Sequence, residues 1–189
     1  MKHFHHTVGK ENWFDYKKLY QSMVNHFPDN SHFVEVGSWK GRSAAFMGVE
    51  ILNQGKCIQF DCVDTWLGSE EHEKIEEGLN IQKDNNWLFN EFRKNTLPIS
   101  THINPIRKPS LEASQLYKDR SLDFVFLDAA HDYENVKNDI LSWYPKVKVG
   151  GWLAGHDYFL EHFGVKEAAD EIFGDKIQTQ GSCWLIRKL

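Results

Sequence analysis

Short apolar segments alternate with longer amphipathic ones between residues 32 and 155, and no other feature of the sequence constrains the fold as strongly. The short segments are rich in β-branched and aromatic residues, and we predict strands at HFVEV, CIQFDCV, THINPI, LDFVFL and GGWLAG. The segments between them have helical spacing, and we predict helices at 43–52, 87–93, SLEASQLY and 132–143. Because parallel strands need long crossovers, usually helical, the alternation predicts an α/β fold with a parallel sheet and helices on both faces.

The two ends of the chain depart from this alternation. Residues 14–26 are amphipathic and stop at FPDNS, which breaks helices, so we predict a helical N-terminal segment over 1–30. After a predicted helix at 165–173, KIQTQGSCWLIRK has the pattern of two strands around Gln180 and Gly181. The sequence therefore predicts one domain over 1–189, with a mostly parallel sheet of seven strands that ends in an antiparallel hairpin.

Composition excludes several classes of function. No apolar run approaches the ~20 residues of a membrane span, and MKHFHHTVGK lacks the apolar core of a secretion signal, so we expect a soluble cytoplasmic protein. With a net charge of −5 and no block of Lys or Arg, the chain is not expected to bind nucleic acid. Its three cysteines show no CxxC spacing, and we expect buried free thiols.

Two loops that follow predicted strands have features of a ligand crevice. In FVEVGSWKGRSAA, Gly37 and Gly41 allow a sharp turn and close approach of a ligand, and the positive end of the next helix starts near Ser43. The third glycine of GxGxxG is missing, which argues against a nicotinamide dinucleotide, and the alternative is an ordinary strand–helix turn. Asp64, at the end of the next strand, is placed to accept the two hydroxyls of a ribose, or alternatively to cap a turn before Thr65.

Residues 67–86 form the one large insertion between a predicted strand and its helix. In an open α/β sheet the carboxyl ends of the strands face the ligand crevice, so this insertion is a candidate lid. Its high content of Glu, Lys and Asn is equally typical of a solvated surface loop.

The segments EVGSWKGRSA, VDTWLG, DFVFLDAAHDY, GGWLAGHDY and GVKEAADEIF together resemble class I S-adenosylmethionine-dependent methyltransferases. The resemblance is to the small branch that includes macrocin-type sugar O-methyltransferases and, more distantly, catechol O-methyltransferase. It covers about residues 30–175 and implies a Rossmann-like, doubly wound sheet that binds S-adenosylmethionine. The positions it implies for cofactor binding are Glu35, Gly37, Ser38, Gly41, Ser43, Asp64, Trp66, Ser110 and Asp128. For two of these an alternative stays open, because Ser110 equally fits a helix N-cap and Trp66 equally fits the core.

The tripeptide His-Asp-Tyr occurs twice, at 131–133 and 156–158. If the strands that end at Leu127 and Ala154 are neighbours, Asp128, His131, His156 and Asp157 emerge at one edge of the sheet. By the resemblance, Asp128, His156 and Asp157 correspond to metal ligands, and the carboxylates with one imidazole suit Mg²⁺ or Mn²⁺. His131 stands where the catechol enzymes carry the lysine that accepts the substrate's proton. Its alternative role, like that of Asp132, is to cap the next helix.

The leading hypothesis is a metal-assisted O-methyltransferase that acts on a small hydroxylated molecule, such as a sugar. The alternatives are a metal-independent methyltransferase of the same fold, an α/β metal-dependent hydrolase, and a non-catalytic module that binds the cofactor. A homodimer is compatible with the sequence, which does not fix the oligomeric state.

Overall fold

The computed structural model describes residues 1–9, 13–69, 76–160 and 164–189, which include one seven-stranded sheet. Its strands are β1 (His32–Val36), β2 (Gln59–Asp64), β3 (Asn104–Arg107), β4 (Leu122–Leu127), β5 (Val147–Gly155), β6 (Gln178–Gln180) and β7 (Cys183–Arg187). The spatial order is β3-β2-β1-β4-β5-β7-β6. Strands β1 to β5 are parallel, and β7 runs antiparallel to both of its neighbours. The predicted doubly wound sheet and its closing hairpin are thus confirmed.

The described residues form seven α-helices, besides short 3-10 turns. They are α1 (Lys17–His26), α2 (Arg42–Asn53), α3 (Glu76–Lys83), α4 (Trp87–Asn95), α5 (Ser110–Ser114), α6 (Tyr133–Trp143) and α7 (Val165–Phe173). Helix α1 begins three residues later than predicted, and α3 falls inside the candidate lid, where no helix was predicted. Residues 70–75 of that lid lie outside the described residues. None of the described helices has the length and apolar character of a membrane span.

Alternation of side chains along each strand separates two cores, one on each face of the sheet. In β4, Phe124 and Phe126 face α1 and α2, whereas Val125 and Leu127 face α5, α6 and α7. The first face is rich in aromatic rings and the second is mainly aliphatic near the strands. Glu35 alternates with Val34 and Val36 in β1, so its carboxylate lies on the aromatic face and is buried there.

The strand order reverses between β1 and β4, which places a crevice beyond their carboxyl ends. There the two chains approach closely, since the Asp128 amide donates to the Val36 carbonyl at 2.8 Å. Gly37 has a φ of +94°, and a Cβ at this position would lie 2.0 Å from the Asp128 carbonyl oxygen. Gly37 is therefore required by the backbone of the neighbouring strand as well as by its turn.

One expectation about the cysteines is wrong. Cys62 and Cys183 are buried free thiols as expected, but Cys57 is exposed. It precedes β2, where the backbone enters the sheet, and its amide donates to Asp29 at 2.8 Å. Because Cys57 lies before the sheet begins, its thiol does not pack into the apolar core.

Substitution Gly37→Ala should lower the free energy of unfolding by about 3 kcal/mol or more, because the added methyl meets backbone that cannot yield. Gly55→Ala is the matched control: its φ is also positive, at +63°, but nothing lies within 4 Å of the added Cβ. The control should cost only the ~1 kcal/mol of left-handed backbone. Urea unfolding measures both, and equal losses would contradict the steric argument.

Candidate functional site

The loop between β1 and α2 forms one side of the crevice. Gly41, with a φ of +85°, is the residue before the first turn of α2, and its missing side chain leaves room for Thr96 and Phe92. Ser43 lies buried in that first turn. The amide groups at the start of α2 have no side-chain cap within the described structure, which suits a ligand that carries negative charge or lone pairs.

Glu35 and Ser38 bring buried polar groups to the start of this loop. Glu35 Oε2 accepts a hydrogen bond from the Tyr20 hydroxyl at 2.6 Å. Burial raises the pKa of Glu35 to about 7, although the hydrogen bond from Tyr20 opposes this rise. Among the described residues, neither Glu35 Oε1 nor Ser38 Oγ has a hydrogen-bond partner. Unsatisfied buried atoms are costly, so both fit a site whose polar ligand completes them.

Asp64 closes the other side of the crevice at the end of β2. Its two oxygens accept the Trp39 amide at 2.8 Å and the Trp66 amide at 2.7 Å. Burial raises its pKa, opposed by these amide donors. The carboxylate therefore caps its own turn and also fixes the β1–α2 loop.

Two of the expected cofactor contacts are engaged elsewhere. Trp66 has no exposed surface, its indole donates to the Trp39 carbonyl at 2.8 Å, and its ring packs on Phe89 and Phe92, as the core alternative expected. Ser110 is not an N-cap, because the residue before α5 is Pro109 and no side chain caps that helix. Instead its hydroxyl donates to Asp139 at 2.5 Å and accepts from the Trp143 indole at 2.9 Å.

Four side chains meet where β4 and β5 end. Leu127 pairs with Gly155, so the residues that follow these two strands emerge side by side. His156 Nδ1 lies 3.3 Å from Asp128 Oδ1 and 3.0 Å from Asp157 Oδ1, and His131 Nε2 lies 3.1 Å from Asp157 Oδ2. The predicted meeting of the two His-Asp-Tyr segments is confirmed. We call Asp128, His131, His156 and Asp157 the carboxylate–imidazole cluster.

His156 is held as a buried cation in this cluster. Burial lowers its pKa, but hydrogen bonds to Asp128 and Asp157 outweigh burial and raise the pKa to about 11. The same contacts, together with His131, overcome burial and hold the pKa of Asp157 well below its usual range. The imidazolium thus compensates two carboxylates that would otherwise repel each other.

One group of side chains that could hold a divalent cation differs from the predicted set by one histidine. One ligand atom from each of Asp128, His131 and Asp157 lies within 4.8 Å of the others, a set of two carboxylates and one imidazole. His131, expected as a base, belongs to this group, and His156, expected as a ligand, contacts both carboxylates through Nδ1. Asp132 caps α6, as one of its predicted roles requires, by accepting the Asn135 amide at 3.1 Å.

Sequence reasoning missed the N-terminal residues that complete the cluster. Asp15 Oδ1 lies 3.1 Å from His156 Nε2 and accepts from the Ser182 hydroxyl at 2.6 Å. The Tyr16 hydroxyl donates to Asp128 Oδ2 at 2.8 Å. The only available signal was the spacing of Tyr16 and Tyr20, which places two polar tips on the apolar face of α1.

Comparisons with known proteins agree with this fold. Residues 34–158 match the family model described as methyltransferase domain. The fold is similar to that of the O-methyltransferase NovP, with a TM-score of 0.68, 18% identity, and coverage of 91% of this chain and 78% of NovP. It is also similar to CalS11, a calicheamicin methyltransferase, with a TM-score of 0.63, 12% identity and coverage of 90% and 76%. A SAM-dependent O-methyltransferase of Thermotoga maritima is also similar, with a TM-score of 0.57 and 14% identity. The match covers 94% of this chain and 57% of the Thermotoga protein. No curated protein sequence matches the chain.

In metal-free protein, the contribution of His156 to stability should disappear as pH rises from about 6.5 towards about 11. The folded state keeps the proton over this window, whereas the unfolded chain, with an ordinary pKa near 6.5, releases it. The difference in free energy of unfolding between wild type and His156→Gln should therefore be largest below pH 6.5 and shrink above it. Urea unfolding in EDTA at several pH values measures this, and a difference that does not change with pH would contradict the ion-pair assignment.

Proposed function

We propose that this chain transfers a methyl group to a hydroxyl oxygen of a small molecule with the help of a divalent cation. The chain belongs to the methyltransferase domain family and is a class I S-adenosylmethionine-dependent methyltransferase. The observation that carries the proposal is the position of the carboxylate–imidazole cluster. It lies at the carboxyl ends of β4 and β5, and the methyl-donor crevice opens at the adjacent end of β1.

The crevice between the β1–α2 loop and Asp64 supplies the methyl-donor site. S-adenosylmethionine, when bound, supplies an electrophilic methyl group on a sulfonium. Asp64 would accept the ribose hydroxyls beside its amide donors, while Glu35 Oε1 and Ser38 Oγ would gain the partners that they lack. The role of Gly37 and Gly41 is to keep the loop close to its neighbours, so that these groups hold their positions.

In the second half of the site, Asp128, His131 and Asp157 would hold the cation. A bound divalent cation supplies a Lewis acid that lowers the pKa of an acceptor hydroxyl. His156 contributes by bonding both carboxylates, and the Tyr16 ring packs 4.8 Å from the His156 ring. The acceptor oxygen would then lie next to the methyl-donor crevice, and this alignment supplies much of the rate. A bond from that oxygen to the methyl carbon would replace the sulfur–carbon bond, S-adenosylhomocysteine would leave, and the hydroxyl proton would pass to water.

The acceptor is proposed to be a hydroxylated small molecule, with a sugar as the leading class. CalS11, which shares the fold, is described as a TDP-rhamnose 3′-O-methyltransferase. A sugar hydroxyl has a high pKa in water, so a site that combines cation ligands with a methyl-donor crevice suits this chemistry. The protein is proposed to act in the cytoplasm.

A metal-independent methyltransferase of the same fold is the second candidate, and one observation favours it. The His156 imidazolium already neutralises charge between Asp128 and Asp157 without any ion. In that reaction His131 would keep the role of base expected from its position, since its Nε2 is held by Asp157.

Asp64→Asn should weaken binding of S-adenosylhomocysteine by roughly tenfold or more, because the amide replaces one of two acceptors with a donor. Asp29→Asn is the matched control, since Asp29 also accepts a backbone amide, at 2.8 Å, but precedes β1 at the opposite edge of the sheet. Its affinity should stay within twofold of wild type. Isothermal titration calorimetry measures both, and an unchanged affinity in Asp64→Asn would remove Asp64 from the cofactor site.

Asp157→Asn should weaken Mn²⁺ binding by roughly 100-fold or more, since it removes a charged ligand. Asparagine tolerates the left-handed φ of 57° at this position, so the backbone should be kept. Asp132→Asn, next to His131 but engaged in capping α6, should bind Mn²⁺ as wild type does. Titration followed by electron paramagnetic resonance measures free Mn²⁺. A wild type that does not bind the ion would favour the metal-independent reaction.

A further inference from the structure

Two tyrosines at the start of α1 each reach one half of the proposed site. The Tyr16 hydroxyl donates to Asp128 Oδ2 at 2.8 Å, and the Tyr20 hydroxyl donates to Glu35 Oε2 at 2.6 Å. The residues are four apart and therefore lie on the same face of the helix start. One helix thus contacts both the carboxylate–imidazole cluster and the methyl-donor crevice.

Both hydroxyls remain protonated donors. An ionised carboxylate can only accept, and an ordinary phenol has a pKa of about 10, so each hydroxyl keeps its proton and donates it to its carboxylate. A phenol that never ionises in the working pH range offers a hydrogen-bond donor of constant direction. Each tyrosine therefore holds one oxygen of its carboxylate in place and leaves the other oxygen for further contacts.

Ring packing fixes where these hydroxyls point. The Tyr16 ring lies 4.5 Å from that of Phe126 and 5.1 Å from that of Tyr20, which itself lies 5.1 Å from Phe126. Next to them, Asp15 is fastened to the ends of β5 and β7 by its contacts with His156 and Ser182. The start of α1 is therefore anchored on the sheet edge, and the hydroxyls cannot swing away without breaking core contacts.

We infer that Tyr16 and Tyr20 are positioning residues for the two halves of the site: Tyr16 orients Asp128 for the cation, and Tyr20 orients Glu35 for the methyl donor. The inference rests on the proposed function and adds that two residues at the start of α1 serve different halves of the site. Groups behind a ligand carboxylate fix its orientation, and their removal commonly weakens metal binding by roughly 10- to 100-fold. The Tyr20 bond also favours the charged form of Glu35, which burial disfavours.

The test compares three Tyr→Phe variants of the full chain. Tyr16→Phe and Tyr20→Phe remove the two positioning hydroxyls. Tyr117→Phe is the matched control, because the buried Tyr117 donates to the Asp61 carboxylate at 2.8 Å, in a cluster with His32 and Asn104 that is separate from the site. For each protein, Mn²⁺ affinity is measured by electron paramagnetic resonance, S-adenosylhomocysteine affinity by calorimetry, and thermal stability by circular dichroism.

Each of the two variants is expected to weaken the binding of a different ligand. Tyr16→Phe should weaken Mn²⁺ binding roughly tenfold and leave S-adenosylhomocysteine binding within twofold, and Tyr20→Phe should do the reverse. Tyr117→Phe should lower the melting temperature and change neither affinity. A purely structural role for Tyr16 and Tyr20 predicts the Tyr117→Phe pattern in all three variants.

Each other outcome overturns a defined part of the inference. Suppose that wild type binds both ligands. If each variant then keeps both affinities, or if each loses both, the positioning roles are wrong. A Tyr16→Phe or Tyr20→Phe protein that does not fold would show a role in stability and count equally against positioning. If wild type binds S-adenosylhomocysteine but not Mn²⁺, the metal-assisted reaction fails together with the Tyr16 assignment, and the Tyr20 result still decides its own half.

Discussion

The close approach of β4 to β1 is the constraint on which the site depends. The Asp128 amide bonds the Val36 carbonyl at 2.8 Å, and the Asp128 carbonyl occupies the space where a side chain of residue 37 would be. A glycine at 37 therefore serves two purposes: it turns the chain into the cofactor loop and it brings Asp128 to the centre of the sheet edge. With any other residue, the methyl-donor crevice and the carboxylate–imidazole cluster would be pushed apart. The proposed metal-assisted methyl transfer requires them to be adjacent.

The two copies of His-Asp-Tyr have different environments although their letters are identical. In the first, His131 faces Asp157, Asp132 caps α6, and the acid of the cluster is Asp128, which precedes the triplet. In the second, His156 and Asp157 both belong to the cluster, but His156 is a cation that bonds Asp128 and Asp157. The two tyrosines bond residues outside the cluster: the Tyr158 hydroxyl donates to Asp170, and the Tyr133 hydroxyl donates to Glu171.

Sequence patterns predicted the sheet well because parallel strands buried on both faces need the apolar runs that this chain shows. The same reasoning predicted that Asp128 and Asp157 meet, since the carboxyl ends of neighbouring strands share one edge. It failed where a side chain's partner comes from a distant segment. Ser110 bonds α6 instead of capping α5, and Asp15 and Tyr16 reach residues more than a hundred positions away. No local pattern encodes such contacts, and none determines that His156 bonds two carboxylates of the cluster and His131 one.

A crystal structure of the protein soaked with S-adenosylhomocysteine and Mn²⁺, with anomalous scattering recorded for manganese, tests the central claim most directly. The account predicts S-adenosylhomocysteine between the β1–α2 loop and Asp64, and a manganese peak coordinated by Asp128, His131 and Asp157. A crevice without the ligand would contradict the assignment of the methyl-donor site. An occupied crevice without a manganese peak would contradict the metal-assisted reaction and leave the His156 ion pair as the group that compensates the two carboxylates.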